Sequence, residues 1–326
     1  MNNNYVDDQP KLRNYIEGSL MAALAAMIAL IGIYIPPLQI ITAFVWLVPI
    51  VVVSVRRDFR TGVLAMVVAA ILLMILAPPH RAFLYLIQFA GLGIVFAYYF
   101  SKKADFAKTM MMGTVVVAIS AVVAFLINFL VLGMSISDLA DQFKETTETA
   151  LYMYEEMGLL EGYQIEEMRE MISEFPMLIA RLFPGTMVVY GMMVAFITYF
   201  ATRKIIQKLN LEVSELPMFR HWQIPWYFIW GIIIGLALLL LGDFMSWEPG
   251  SIMGMNVIYM FSPILFIQGL AVFAFYYYRW KIPILLKVLL LVIIVFNIPL
   301  ALMILLVTGL FDPLFNYRRL GLEIKQ

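Results

Sequence analysis

The sequence predicts an all-α fold, a polytopic transmembrane helix bundle of about nine spans. Of the 326 residues, 63% are hydrophobic and only 13% are charged, unlike a soluble domain. A span needs about 20 mostly apolar residues, because a helix rises about 1.5 Å per residue and the hydrocarbon core is about 30 Å thick. Apolar runs that meet this need, with a few residues more at either end, cover residues 21–35, 40–55, 63–77, 83–100, 114–133, 187–200, 228–241, 257–278 and 285–310.

These runs divide the chain into regions. Its polar start lacks the basic stretch and the cleavage site of a secretory signal, so the first span is expected to be a retained anchor. The predicted regions are a cytoplasmic tail (1–15), spans one to five (16–136), an acidic extracytoplasmic loop (137–176), spans six to nine with a cytoplasmic loop at 203–226 (177–311), and a carboxyl-terminal tail (312–326).

The distribution of Lys and Arg predicts the orientation. Cytoplasmic connections of membrane proteins are enriched in these residues. Most of those in the connections of this chain lie on the side of its amino terminus, including Arg56, Arg57, Lys102 and Lys103. We expect a multi-pass protein of the bacterial cytoplasmic (inner) membrane with its amino terminus in the cytoplasm.

The last apolar segment is too long for one upright span. As a single helix, residues 282–310 would measure about 43 Å. Pro299, near its middle, removes a backbone hydrogen bond. One tilted, kinked span would leave the carboxyl terminus outside, whereas a broken, hairpin-like segment would return it to the cytoplasm. We expect the single kinked span.

The loop between spans five and six contains half of the chain's 22 acidic residues. Apolar residues recur along it at helical spacing in two stretches, which Gly158 and Gly162 separate. This pattern predicts an extracytoplasmic amphipathic helical hairpin. The hairpin could be a solvated structure that stays out of lipid, or a lid or cation-attracting rim over the bundle.

The residue types exclude several kinds of chemistry. Cysteine is absent, and His80 and His221 are the two histidines. Disulfides, thiolate sites and all-histidine metal sites are therefore excluded. The sequence also lacks the GxxxxGK[ST] phosphate loop, HExxH and GxSxG motifs. We expect no enzyme activity, no metal, no cofactor and no nucleic acid partner.

A few polar residues lie within the predicted spans, where they are unfavourable unless they are paired or face a cavity. By depth, Arg181 and Asp243 could meet as an ion pair beneath the acidic loop. That pair could be structural, or it could belong to a small-solute pocket open to the outside. The candidate solute-binding residues are Arg181, Asp243, Gln88, Asn128 and Gln268, to which Tyr85, Tyr190 and Tyr259 could add hydroxyls.

The first span carries alanines four residues apart, Ala22 with Ala26 and Ala25 with Ala29. Small residues at this spacing let a second helix approach closely, and such packing drives helix association in lipid. The alanines could pack inside this bundle or dock another membrane subunit. The cytoplasmic loop 203–226 adds basic residues and tryptophans, suited to anionic headgroups or to a cytosolic partner.

Several stretches of the chain resemble the YybS family of bacterial polytopic membrane proteins. They are residues 217–222 with Pro225 and Trp230, residues 268–271 (Gln-Gly-Leu-Ala), and residues 309–318. That family is in turn similar, over the first six spans, to the substrate-binding S components of energy-coupling factor vitamin transporters. In S components, alanines four apart on the first helix dock the coupling subunit, a role that the resemblance implies for Ala22, Ala25, Ala26 and Ala29.

Two functions therefore stand as hypotheses. The resemblance implies an S-component-like subunit that binds a small solute for uptake and needs a partner for energy. The alternative is a non-transporting membrane scaffold or regulatory subunit, which would hold its partners through the first span and the 203–226 loop.

Overall fold

The computed structural model describes residues 5–133, 136–158, 162–280 and 283–320. Throughout these ranges the regular structure is helical, without strands, which confirms the all-α prediction. Nine helical stretches within them are long and apolar enough to cross a membrane. The helices are α1 (Tyr5–Tyr34), α2 (Pro36–Val45), α3 (Val48–Arg56), α4 (Phe59–Leu76), α5 (Pro79–Ser101), α6 (Phe106–Leu132), α7 (Ile136–Glu156), α8 (Gly162–Lys208), α9 (Ile229–Phe244), α10 (Glu248–Arg279), α11 (Ile284–Phe296) and α12 (Ile298–Phe315).

The helices form two compact units. Unit one comprises Met1–Arg169 and Met187–Glu215, and unit two comprises Glu170–Thr186 and Leu216–Gln326. In unit one, α1 packs against α2, α3 and α4, and α5 packs against α3, α4 and α6. In unit two, α10 packs against both α9 and α12.

The second predicted span is interrupted near its middle. Helix α2 ends at Val45 and α3 begins at Val48, and Trp46 and Leu47 form a turn between them. Pro49, in the first turn of α3, has no N–H with which to continue the hydrogen bonding of α2. The two helices together still make one apolar segment, Pro36–Arg56, that is long enough to cross the membrane.

The two helices predicted in the acidic loop correspond to α7 and the beginning of α8. Helix α8 continues without a break into the sixth span, although Pro176 and Pro184 lie inside it. The antiparallel arrangement of the hairpin stays a prediction, and Glu161 of this loop lies outside the described residues.

The prediction of a single kinked ninth span is wrong. Helices α11 and α12 are separate, and Pro299 lies in the first turn of α12, where the missing N–H is not needed. The carboxyl ends of α10 and α12 lie side by side, because the Tyr276 hydroxyl donates a hydrogen bond to the Tyr317 carbonyl oxygen at 3.0 Å. The two helices are therefore parallel, and α11 returns the chain between them.

This arrangement places the residues that directly follow α12. Arg318, which follows α12, donates hydrogen bonds to carbonyl oxygens of the loop before α9. The chain near Arg318 thus lies on the same side as that loop. The apolar segment is therefore broken into two helices, and Arg318 lies beside the loop that precedes α9.

Candidate functional site

The structure does not pair Arg181 with Asp243. Arg181 instead forms an ion pair with Glu248 at 2.9 Å, and Asp243 accepts a hydrogen bond from the Ser251 hydroxyl at 2.6 Å. The expected Arg181–Asp243 pair is wrong because Glu248, in the first turn of α10, reaches the guanidinium. The Arg181 and Glu248 side chains are 39% and 68% exposed, so the pair lies on the surface of unit two and does not line an enclosed pocket.

The other predicted solute-binding residues are also dispersed. Gln268 lies on the same helix as Glu248 but about 30 Å further along it, so Gln268 and Arg181 cannot line one small pocket. Asn128 donates its amide N–H to the Ala124 carbonyl oxygen of its own helix at 2.8 Å. Of the five candidate residues, Gln88 has the surroundings most suited to a solute.

The four alanines of the first span lie in the core of unit one. Ala22, Ala25, Ala26 and Ala29 are each at most 2% exposed. They belong to the same core as residues of α3 to α5, as expected for packing inside the bundle. Because this chain's own helices cover the alanine face, docking of another subunit would need a different surface.

Gln88 lies in a group of polar side chains within unit one. Its Nε2 donates a hydrogen bond to the Tyr190 hydroxyl at 2.5 Å. Tyr85, one turn earlier on α5, is 4% exposed and close to Tyr190. The ring of Tyr85 contacts the indole of Trp46, with 5.3 Å between the ring centroids. We call Trp46, Tyr85, Gln88 and Tyr190 the polar cluster.

Two hydrogen-bond donors of the polar cluster have no partner. The Trp46 indole N–H and the Tyr85 hydroxyl are buried, and no described residue meets hydrogen-bond geometry with either. The Thr42 hydroxyl, which donates to the Leu38 carbonyl oxygen at 3.0 Å, is close to the Tyr85 hydroxyl but does not meet hydrogen-bond geometry with it. An unsatisfied buried donor costs about 1–3 kcal/mol. Such groups call for an explanation, of which a bound water or ligand is one.

The polar cluster adjoins the interruption of the second span. Trp46 is the residue at which α2 ends. Trp46 and Leu47 keep right-handed helical backbone angles, so the interruption is a local loss of helical hydrogen bonding beside Pro49. Interrupted helices often form solute sites in transporters. Trp46 and Tyr85 lie about 15 Å and 9 Å from the first residues of α2 and α5. On the predicted topology, both helices begin at the outer side.

Unit two contains a buried ion pair between Arg318 and Asp312. Both side chains are 0% exposed, and Nη2 lies 2.7 Å from Oδ2. Asp312 also accepts a hydrogen bond from Gln268 Nε2 at 2.7 Å. Arg318 donates to the carbonyl oxygens of Arg220 at 2.8 Å and Trp222 at 2.6 Å. We call Gln268, Asp312, Arg318 and these two carbonyl groups the buried clamp, in which each charge has both a counter-charge and hydrogen bonds.

The buried clamp joins the distant stretches that resemble the YybS family. Gln268 comes from residues 268–271, Asp312 and Arg318 come from residues 309–318, and the two carbonyl groups come from residues 217–222. Close backbone packing supports the junction, because a Cβ added at Gly309 would lie 2.0 Å from the Leu265 carbonyl oxygen. These stretches therefore meet at the carboxyl-terminal part of α10.

Sequence reasoning missed three residues of these two sites. Trp46 lies in an apolar run. That pattern does not distinguish an indole whose N–H lacks a hydrogen-bond acceptor from an indole that only packs in the core. Asp312 and Arg318 carried a weak signal, since a carboxylate directly follows the apolar segment 298–311 and a cation comes six residues later. That spacing could not reveal that both side chains are buried.

Comparisons with known proteins agree with the membrane architecture. The chain is 22% identical over 275 residues to the uncharacterized protein YybS of Bacillus subtilis (strain 168), covering 83% of this chain and 86% of that protein. No solved structure matches the chain. Residues 23–313, which include the polar cluster and all of the buried clamp except Arg318, match the family described as predicted membrane protein (DUF2232). The chain therefore belongs to the DUF2232 family of predicted membrane proteins.

Proposed function

We propose that unit one binds a small, uncharged solute at the polar cluster. The chain would act as an S-component-like binding subunit for uptake across the bacterial cytoplasmic membrane, with a partner that supplies energy. The observation that carries this proposal is the pair of buried donors without partners, the Trp46 N–H and the Tyr85 hydroxyl, beside an interrupted span. A solute with two acceptor atoms would satisfy both donors.

The surroundings of the donors define the class of solute. A solute at these donors would lie beside the buried rings of Trp46, Tyr85 and Phe89, the last with its centroid 5.0 Å from that of Tyr85, and aromatic rings pack favourably with a planar ring. The four residues of the polar cluster carry no formal charge at neutral pH. Burying an unpaired charge beside them would be unfavourable. The expected solute is therefore a neutral ring compound with carbonyl or ring-nitrogen acceptors.

The limits of unit one support the proposal. Unit one contains the first five spans and residues 187–215, which hold most of the sixth. This is the part of the chain over which the S-component resemblance extends. Since the sequence lacks a phosphate-binding loop, an energy source must come from a partner. The alanine face of α1 is buried and is not proposed as its docking surface.

Ligand-dependent thermal stabilisation of the purified full-length protein tests the proposal. A panel of neutral ring-containing metabolites should include a compound that raises the melting temperature. Trp46→Phe and Tyr85→Phe should each weaken its binding about fivefold, because each variant loses one buried hydrogen bond of about 1 kcal/mol. Trp230→Phe is the matched control, since Trp230 is 55% exposed and should leave the affinity unchanged.

Two results would overturn this function. If no compound in the panel raises the melting temperature, the alternative of a non-transporting scaffold or regulatory subunit is favoured. If a compound binds but Trp46→Phe and Tyr85→Phe behave like Trp230→Phe, the solute site lies elsewhere in the chain.

A further inference from the structure

We propose that unit two binds the phosphate group of an anionic ligand in a depression at the carboxyl end of α10. The depression has a volume of about 220 Å³ and is lined by Arg220, His221, Phe275, Tyr278 and Arg279. A water molecule occupies about 30 Å³ of liquid, so a phosphate group and several waters fit within it. This proposal concerns residues outside the polar cluster and does not depend on the proposed uptake function.

The charges that line the depression are positive and lack carboxylate partners. Among the described residues, no ion pair involves Arg220 or Arg279. The exposed imidazole of His221 adds a third nitrogen-bearing side chain. Guanidinium groups present a planar fork of N–H donors that matches phosphate oxygens. Two unpaired guanidinium groups on one depression are therefore suited to a phosphate.

Aromatic rings hold these side chains in place. The Arg220 guanidinium lies over the Tyr278 ring, 5.6 Å from its centroid, and the Arg279 guanidinium lies 5.7 Å from the Phe275 centroid. The His221 ring also contacts Phe275, with 6.2 Å between centroids. Cation–π contacts orient a cation without neutralising it, so both charges remain available to an anion.

The buried clamp fixes the backbone beneath the depression. Arg318 donates hydrogen bonds to the carbonyl oxygens of Arg220 and Trp222, and residues 219–221 form a single turn of 3-10 helix that contains Arg220 and ends just before Trp222. Because Asp312 balances the charge of Arg318, the clamp positions the site and does not itself attract the anion. A site whose backbone is fixed in advance loses less entropy when a ligand binds.

The depression lies where a membrane helix ends. Arg279 is the last residue of α10, and Tyr278 and Trp280 beside it are 69% and 45% exposed. Exposed Tyr and Trp at the end of a span are typical of the membrane–water interface, where lipid phosphates lie. The phosphate could thus belong to an anionic lipid or to a soluble phosphate ester, since both reach this depth.

Binding to the full-length protein in dodecylmaltoside tests the proposal. The probes are phosphatidylglycerol, diacylglycerol with the same acyl chains, and glycerol phosphate, and the measurement is the shift in melting temperature. We expect phosphatidylglycerol to stabilise the protein and diacylglycerol, which lacks the phosphate, to have no effect. Stabilisation by glycerol phosphate as well would assign the site to soluble phosphate esters, and its absence would assign it to lipid.

Variants locate the effect. We expect Arg279→Gln and the double variant Arg220→Gln/Arg279→Gln to lower the affinity for the stabilising probe at least tenfold. Arg319→Gln, which removes a neighbouring exposed cation, should leave it unchanged. The melting temperature of each variant is first compared with that of the wild type without probe. If the double variant melts at a lower temperature, the test relies on Arg279→Gln alone. The proposal is overturned if neither phosphate probe stabilises the protein, or if Arg279→Gln retains the full shift.

Discussion

The buried clamp leads to a specific prediction about stability. Asp312→Ala would leave the fully buried Arg318 side chain without its counter-charge, and would also leave Gln268 Nε2 without its acceptor. Removing one partner of a buried ion pair typically costs about 3–5 kcal/mol. We therefore expect Asp312→Ala to lower the free energy of unfolding by about 3–5 kcal/mol.

A double variant separates the buried charge from packing. Asp312→Leu/Arg318→Met removes both charges and keeps similar side-chain volumes, so no unpaired charge remains. We expect it to be less destabilised than Asp312→Ala, although the loop loses the hydrogen bonds from Arg318 to Arg220 and Trp222.

The assay is equilibrium unfolding of the full-length protein in mixed micelles, followed by tryptophan fluorescence. Arg319→Gln is the control, because it removes the adjacent but exposed cation and should change stability by about 0.5 kcal/mol or less. The reasoning fails if Asp312→Ala is no less stable than Arg319→Gln. It also fails if the double variant is more destabilised than Asp312→Ala.

Three further predictions follow from the packing and from the surface. Gly309→Ala should lower unfolding stability by about 1–3 kcal/mol, since its Cβ would meet the Leu265 carbonyl oxygen; unchanged stability would contradict the close approach of α10 and α12. Reporters placed at Leu216 and after Gln326 should report the same side of the membrane, and opposite sides would refute the parallel arrangement of α10 and α12. The hydrogen bond from Lys103 lowers the pKa of the exposed Glu212 carboxyl, so this contact persists above the ordinary carboxyl pKa and is lost as pH falls through the lowered value. Amide protection factors in residues 209–215, which correct for the slower intrinsic exchange at acid pH, should therefore be lower at acid pH than at neutral pH in the wild type and already lower at neutral pH in Glu212→Gln; equal protection at neutral pH would show that the pair does not order this segment.

Much of the fold followed from patterns within single segments. An apolar run crosses the membrane because transfer into lipid depends on the run itself, and spans one to eight correspond to helical stretches of the structure. The interruption at Trp46 and the ninth span were harder to predict. Pro49 can bend, break or begin a helix, and the packing of neighbouring helices selects among these outcomes.

The candidate sites were less predictable, because they depend on which side chains meet. The depth of the residues along the spans suggested an ion pair between Arg181 and Asp243. Glu248 was an equally near candidate, and it forms the ion pair with Arg181. The alanine spacing of α1 indicated a close helix contact but could not show whether this chain or another protein supplies it. The structure places Ala22 and Ala25 against the chain's own helices.

Composition and the length of each apolar run were enough to establish an all-helical, multi-pass membrane protein, because the lipid acts on each segment separately. The partners of Gln88, Asp312 and Arg318 emerged from the folded chain, since hydrogen bonds and ion pairs act over a few ångströms between residues far apart in sequence. Gln268 illustrates the difference. An amide in an apolar span indicates that a hydrogen-bond partner lies nearby in the fold. That partner is Asp312, 44 residues away, and only the packing of α12 against α10 identifies it.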